Sequence, residues 1–200
     1  IDTDNDGFPD NQERAETTDP LDMNDPLTHR ALKTDGTDDG YLLLPAQARF
    51  ALKVWTVEAW VKADAGASGT IIKRVVGTMP NKEQINYSLE LDGGRLQMAF
   101  TDLNGTKETL TVSPAYTIGA DTWTHVAMSY DSATTIMALY INGVKIATKF
   151  SSLQPVSSGP GIVSVKVGEE FTGLIDDLRI WNDIRTVEEL SDNMAVLLSG

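Results

Sequence analysis

The chain has 200 residues, 41% of them hydrophobic, with no cysteine and a formal net charge of −13. That is enough apolar content for one full core, but it excludes disulfides, thiolate metal sites and thiol chemistry. No run of eighteen apolar residues is present to span a membrane, and no basic patch offers the phosphate contacts a nucleic acid needs. The acidity is uneven: residues 1–40 hold twelve acids against three bases, and the other 160 residues have only four acids in excess. A short acidic leader (1–28) before one main domain (29–200) fits these numbers. The opening on Ile1, in the middle of a motif, reads as a segment cut from a longer chain.

The leader comes first along the chain. Counting Asp2 as position 1, carboxylates stand at positions 1, 3, 5, 9 and 12: Asp2, Asp4, Asp6, Asp10 and Glu13. Gly7 falls at position 6, and Phe8 at position 7 offers its backbone carbonyl. This is the ligand spacing of a calcium loop. A hard cation takes six to eight oxygens, so a short loop must curl around it with alternate side chains pointing inward. Without an ion those carboxylates repel one another; the bland alternative is a solvated acidic tail rich in turn formers. An EF-hand is not indicated. Only Ile1 precedes the loop, Asp19-Pro20 limits any helix after it, and Pro9 lacks the N–H through which paired loops join. The pattern over residues 2–25, with Thr18-Asp19-Pro20, instead resembles the calcium-binding thrombospondin type 3 repeat of exported bacterial proteins. Asp22-Met23-Asn24-Asp25-Pro26 looks like a degenerate next unit, in which Asp19, Asp22 and Asp25 offer a second, weaker site.

From about residue 29 the periodicity becomes β. Residues 41–44 and 55–62 read as strands, the latter alternating apolar with polar or small residues as a half-buried strand does. Residues 70–75, 85–91, 95–101 and 107–112 follow, with Asp92-Gly93-Gly94 marking a hairpin. Strands at 123–131, 136–141 and 144–149 come next, with a tight turn at Asn142-Gly143. Residues 162–167 and 172–181 complete roughly a dozen strands. Residues 186–194 read as the one helix, opened by Thr186 and Glu189 in capping-box spacing. The fold class expected is all-β: a two-sheet antiparallel jelly-roll sandwich with a short C-terminal helix and an irregular leader.

Four segments then carry a resemblance. Ala31-Leu32-Lys33-Thr34-Asp35-Gly36 with Tyr41-Leu42-Leu43-Leu44-Pro45 looks like the opening of a LamG-like jelly roll. Thr56-Val57-Glu58-Ala59-Trp60-Val61 matches a second signature, although Trp55 stands where phenylalanine is usual. Trp123-Thr124-His125-Val126-Ala127-Met128-Ser129-Tyr130-Asp131 with Leu139-Tyr140-Ile141-Asn142-Gly143 matches a third. Gly173-Leu174-Ile175-Asp176-Asp177-Leu178-Arg179-Ile180-Trp181-Asn182 matches the fourth. Their order across the globular part resembles the concanavalin A-like lectin/glucanase group. In such domains a structural ion often ties the first strands to the last; the matching positions are Asp35, the Gly36 carbonyl and Asp176, while Asp38 and Asp39 read as turn residues.

Fold alone does not choose a function. Glucanases of this group carry a Glu-x-Asp-x-x-Glu pattern for two-carboxylate chemistry. Glu90-Leu91-Asp92 begins it, but Gly93, Gly94 and Arg95 follow with no second glutamate. His29 and His125 are the only histidines, and His125 reads as a packed or hydrogen-bonded residue. The chain is therefore read as non-catalytic. Lectin sites on such folds use an aromatic platform with a few polar groups. Trp55 and Trp123, at strand edges, are the candidate platform; Trp60 and Trp181 read as core. Loops 64–69, 76–84, 113–122 and 151–161 are candidate recognition loops. The expected function is that of a calcium-binding module of a larger surface or secreted protein. It acts in adhesion, or as a Ca²⁺-stiffened structural domain joined to neighbours in its own chain. The alternative is a carbohydrate-binding module attached to a glycan-active enzyme. On either reading the partner is a glycan or protein at a cell surface or matrix, the address is extracellular, and the isolated segment is a monomer.

Overall fold

The computed structural model describes residues 1, 3, 9–11, 14, 20–21, 31–37, 39–45, 47–79, 82–159 and 163–196. The chain falls into two compact units, Ile1–Ala31 and Leu32–Gly200. In the first, Thr3 donates its backbone N–H and its hydroxyl to the Asp10 carboxylate, at 2.9 and 2.8 Å. The Asp10 N–H donates in turn to the Ile1 carbonyl at 2.8 Å.

The second unit is a sandwich of two six-stranded antiparallel sheets. The first sheet holds β1 (Leu32–Asp35), β12 (Thr172–Trp181), β3 (Trp55–Ala63), β8 (Trp123–Asp131), β9 (Ile136–Ile141) and β10 (Val144–Phe150), in that order. The second holds β2 (Leu42–Leu44), β11 (Ser164–Val167), β4 (Gly69–Met79), β5 (Lys82–Asp92), β6 (Arg95–Thr101) and β7 (Lys107–Thr111). First and last strands lie side by side in both sheets, as a jelly roll requires. The all-β sandwich expected from the alternation is present, with a short α-helix, α1 (Val187–Asn193), near its C-terminal end.

Period-two alternation builds the core. Trp55, Val57, Ala59, Val61 and Ala63 of β3 point inward together, and across the gap stand Leu89, Leu91, Leu96, Met98 and Phe100. Each large side chain so buried stabilises the fold by about 1.5–3 kcal/mol. At one end the Trp55 ring stacks on Tyr130 at 4.9 Å and meets Tyr87 at 5.7 Å. Two turns take the backbone form their residues favour. Gly93 and Gly94 have φ of +57° and +78°, and Asn142 and Gly143 have +48° and +74°. Positive φ at both central residues suits a two-residue hairpin, because its twist matches that of the strands.

Three expectations are corrected. Trp55 is fully buried and offers no platform to a ligand; its place in the β3 alternation puts it on the core face. Trp60 and Trp181 do not fill the sandwich: they lie half-buried on the outer face of the first sheet. Trp60 has the opposite parity to Trp55. Trp181 is turned outward by a register shift between Asp176 and Arg179, where Asp177 adopts φ +48° and one extra residue reverses the alternation. The proposed loop 76–84 is largely strand. β4 and β5 pair from Gly69↔Leu91 to Met79↔Lys82 through three register shifts, and those shifts break the period-two signal.

Candidate functional site

The sandwich has two outer faces, and the sequence treats them differently. On the first sheet, Glu58, His125, Ala127, Ser129 and Tyr140 are buried although they point away from the core. The C-terminal segment covers them. The α1 residue Leu190 packs with Ala127, Ala138 and Tyr140. Its helix is opened by the expected capping box: the Glu189 N–H donates to Thr186 Oγ1 at 3.1 Å, and the Thr186 N–H donates to Glu189 Oε2 at 2.8 Å. The Trp60 indole donates to the Met194 carbonyl at 2.5 Å, and Arg179 donates to the carbonyls of Asn193 and Val196.

Beneath that cover lies an ionic network. Glu58 accepts from the Trp181 indole at 2.8 Å and meets His125 Nε2 at 3.0 Å, with the Arg179 guanidinium 3.8 Å away. Burial by itself would raise the Glu58 pKa, but the hydrogen bonds from His125 and Trp181 and the nearby Arg179 guanidinium hold it below the ordinary value. No reacting molecule can reach this carboxylate, so its geometry is that of a structural clamp. The sequence reading of His125 as a hydrogen-bonded residue agrees with its contact here.

On the outer face of the second sheet Thr70, Ser88 and Ala99 are buried, while Lys73, Glu90, Gln97, Thr109 and Thr111 keep partial exposure. Its outward residues form two cross-strand rungs. One runs Lys166–Lys73–Ser88–Ala99–Thr109 across β11, β4, β5, β6 and β7. The other runs Thr70–Glu90–Gln97–Thr111 across β4 to β7. Two lysines side by side repel, and Glu169 resolves the conflict by bridging Lys73 (2.6 Å) and Lys166. Glu83 holds Lys73 from the other side at 2.9 Å, and Lys166 also lies 4.7 Å over the Tyr41 ring. Glu90 on the second rung accepts from Gln97 and from Ser88 of the first, and Thr111 donates to Gln97 at 2.8 Å.

Of these, Thr70, Lys73, Glu83, Glu90, Gln97 and Glu169, with Asp92, Lys107 and Glu170, line a groove of about 560 Å³. An adjoining depression of about 490 Å³ shares Glu83, Ile85 and Lys107 and continues toward Asn104–Thr106. Both volumes lie within the range of small-ligand sites. At the rim, Glu170 holds φ +59°, a strained position for a residue with a Cβ. Burial would lower the Lys73 pKa, yet the hydrogen bonds to Glu169 and Glu83 carry it above the ordinary lysine value. Burial would raise that of Glu169, and the hydrogen bonds from Lys166 and Lys73 hold it below the ordinary value. The floor is thus a lattice of donors and acceptors fixed by their own contacts.

The residues singled out from sequence fall elsewhere. Trp123 is 39% exposed at the start of β8, opposite Lys62 on the first sheet, away from the groove. Asp35 and Asp176 are not brought together. Asp35 pairs with Thr172, four residues before Asp176 on β12, a separation of about 13 Å at the strand rise. The Asp35 carboxylate instead accepts from the Thr37 hydroxyl (2.7 Å) and N–H (3.1 Å), while Asp176 accepts from the Asp177 N–H in the bulge. Gly36 has φ +79° and donates its N–H to the Phe171 carbonyl. Among the described residues no group of three or more acidic or histidine side chains is placed to hold a metal. Of the leader ligands, Asp10 alone is described; Asp2, Asp4, Asp6, Phe8, Glu13, Asp19, Asp22 and Asp25 lie outside the described residues, as does Asp38. Loop 64–69 reaches the groove through Gly69. The 151–161 loop is pinned over its described part, where the Val156 N–H donates to the Thr101 carbonyl and Arg74 donates to that of Ser157.

Residues 35–191 match a family model described as the concanavalin A-like lectin/glucanases superfamily. Among solved structures, the CBM40 of Ruminococcus gnavus IT-sialidase bound to α2,3-sialyllactose is 21% identical with a TM-score of 0.63. That alignment covers 82% of this chain and 91% of the module. A NanB sialidase variant from Streptococcus pneumoniae is 16% identical at a TM-score of 0.65, over 85% of this chain and 28% of that one. The binding domain of Paraclostridial Mosquitocidal Protein 1 is 15% identical at a TM-score of 0.62, over 81% and 42%. At such identities the likeness is one of fold. No curated protein matches the chain significantly in sequence.

Proposed function

The chain belongs to the concanavalin A-like lectin/glucanase superfamily, and from that premise we propose that it is a non-catalytic, carbohydrate-binding module of an extracellular or cell-surface protein. One observation carries the reading. The outer face of the second sheet presents Lys73, Glu90 and Gln97, with Glu83 and Glu169, in an open groove, while on the opposite face Ala127, Ala138 and Tyr140 are covered by Leu190. Sugar hydroxyls donate and accept at close spacing, and a pre-bonded floor such as Glu90–Gln97–Thr111 meets them without further ordering. Sandwiches of similar fold that are sialidase carbohydrate-binding modules support the reading. A glycan array followed by calorimetry tests it: Gln97→Ala should weaken any glycan bound by about tenfold, the loss expected when one well-made polar contact goes. Glycan binding that survives Gln97→Ala and Glu90→Ala unchanged would place the site elsewhere, with exposed Trp123 the next residue to test.

A second reading concerns the leader. We propose that it resembles the thrombospondin type 3 repeat in function as well as spacing. Asp2, Asp4, Asp6, Asp10 and Glu13 with the Phe8 carbonyl form a hard-oxygen set that fits Ca²⁺. The ion would neutralise the acidic loop and stiffen the connection to a neighbouring domain. Extracellular calcium modules bind at roughly 10⁻⁴ to 10⁻³ M. Asp4→Ala with Asp6→Ala should remove the leader's share of calcium-binding heat, and an unchanged titration would end this reading.

A further inference from the structure

The groove's charge restricts which glycans it accepts, an inference that rests on the carbohydrate-binding reading. Five carboxylates line it, those of Glu83, Glu90, Asp92, Glu169 and Glu170, against Lys73 and Lys107 in the lining and Lys166 and Arg95 beside it, which leaves one negative charge in excess. Most of the nearby cations are already committed. Lys73 spends contacts on both Glu83 and Glu169, Lys166 is held by Glu169, and the Arg95 guanidinium pairs with Asp92 at 2.8 Å. A sugar carboxylate entering here meets an excess of like charge, and capturing Lys73 or Lys166 would require breaking an existing ion pair. Sugar hydroxyls face no such conflict, because carboxylates are strong acceptors for O–H donors. We infer that the groove selects neutral glycans and discriminates against sialylated and uronic acid-containing ones. The adjoining depression that shares Glu83 and Lys107 gives such a glycan room for more than one sugar unit.

The test uses the whole chain on an array of neutral, sialylated and uronate-bearing glycans, followed by calorimetry with a neutral hit and its sialylated counterpart. Neutral glycans should bind, and the sialylated counterpart at least about tenfold more weakly, as one uncompensated like charge at contact range near a protein surface implies. Raising ionic strength should narrow that ratio by screening the repulsion. Glu83→Gln with Glu170→Gln should narrow it at least about threefold on the same electrostatic ground. Sialylated binding equal to or tighter than neutral binding overturns the inference and leaves the carbohydrate-binding reading standing. An unchanged ratio in the double variant also overturns it, since charge would then not be the cause. Binding of no glycan of any class overturns both.

Discussion

The first sheet carries Glu58, His125 and Tyr140 on its outward face, and the C-terminal segment buries them. The second sheet carries Lys73, Glu90 and Gln97 on its outward face, and they line a groove. Both sets arise from the same alternation along a strand. What separates them is the chain that follows β12: Arg185, Leu190 and Met194 cross one face, where Arg185 lies 4.4 Å over the Trp181 ring. Polar residues under that cover bond to one another around Glu58; Lys73, Glu90 and Gln97 on the other face keep partial exposure.

The contrast can be broken most directly at Glu58. Glu58→Ala strands His125, Arg179 and the Trp181 indole without their carboxylate, and should cost about 3–5 kcal/mol in urea unfolding. Leu190→Ala removes the apolar anchor of the cover and should cost about 2–3 kcal/mol, at the low end for buried leucine because the cluster is small. Thr186→Ala breaks the capping box at a cost of about 1 kcal/mol, seen as a lower Tm. On the open face, Gln97→Ala should change stability by less than about 1 kcal/mol while weakening glycan binding. A large loss of stability from Gln97→Ala would erase the distinction between the faces.

Acidity sharpens the same comparison. Glu58 and Glu169 both have folded pKa values below the ordinary glutamate value of 4.5. Their stabilisation is therefore complete above that value and is lost as pH falls through the lower folded values. Lys73 shifts in the opposite sense: its contribution is present below 10.5 and fades as pH rises through its raised value. Acid titration of wild type against Glu58→Gln should show a shallower decline in the variant, since the larger buried share belongs to Glu58.

Much of the sandwich was legible in the residues. Asn142-Gly143 and Gly93-Gly94 announced their turns, and Thr186 with Glu189 announced the helix start. The β4–β5 hairpin was only partly legible, because bulges at Ile71 and Val76 shift the alternation. The tryptophans misled by position: Trp55 at a strand edge reads as a platform and Trp60 within the strand as core, while the observed parity puts Trp55 in the core and Trp60 half-buried on the outer face. The groove stayed hidden for another reason. Ser88, Gln97 and Thr111 look like any solvated strand face, and Glu169 joins them only through the β11–β12 connection, 96 residues after Lys73. Polar outward residues on three consecutive strands were the available signal.

The pairing of β3 with β12 also has a consequence in time. Glu58 and Trp181 are separated by 123 residues, so at a synthesis rate of about 5–20 residues per second the β3 edge waits roughly 6–25 seconds for its neighbour. Throughout that interval Val57, Ala59 and Val61 have no β12 beside them, and one edge of β3 offers unpaired N–H and C=O groups to any strand that passes. The sandwich is finished by its last strand, and a nascent chain stalled before residue 172 leaves that edge open to pairing with another chain.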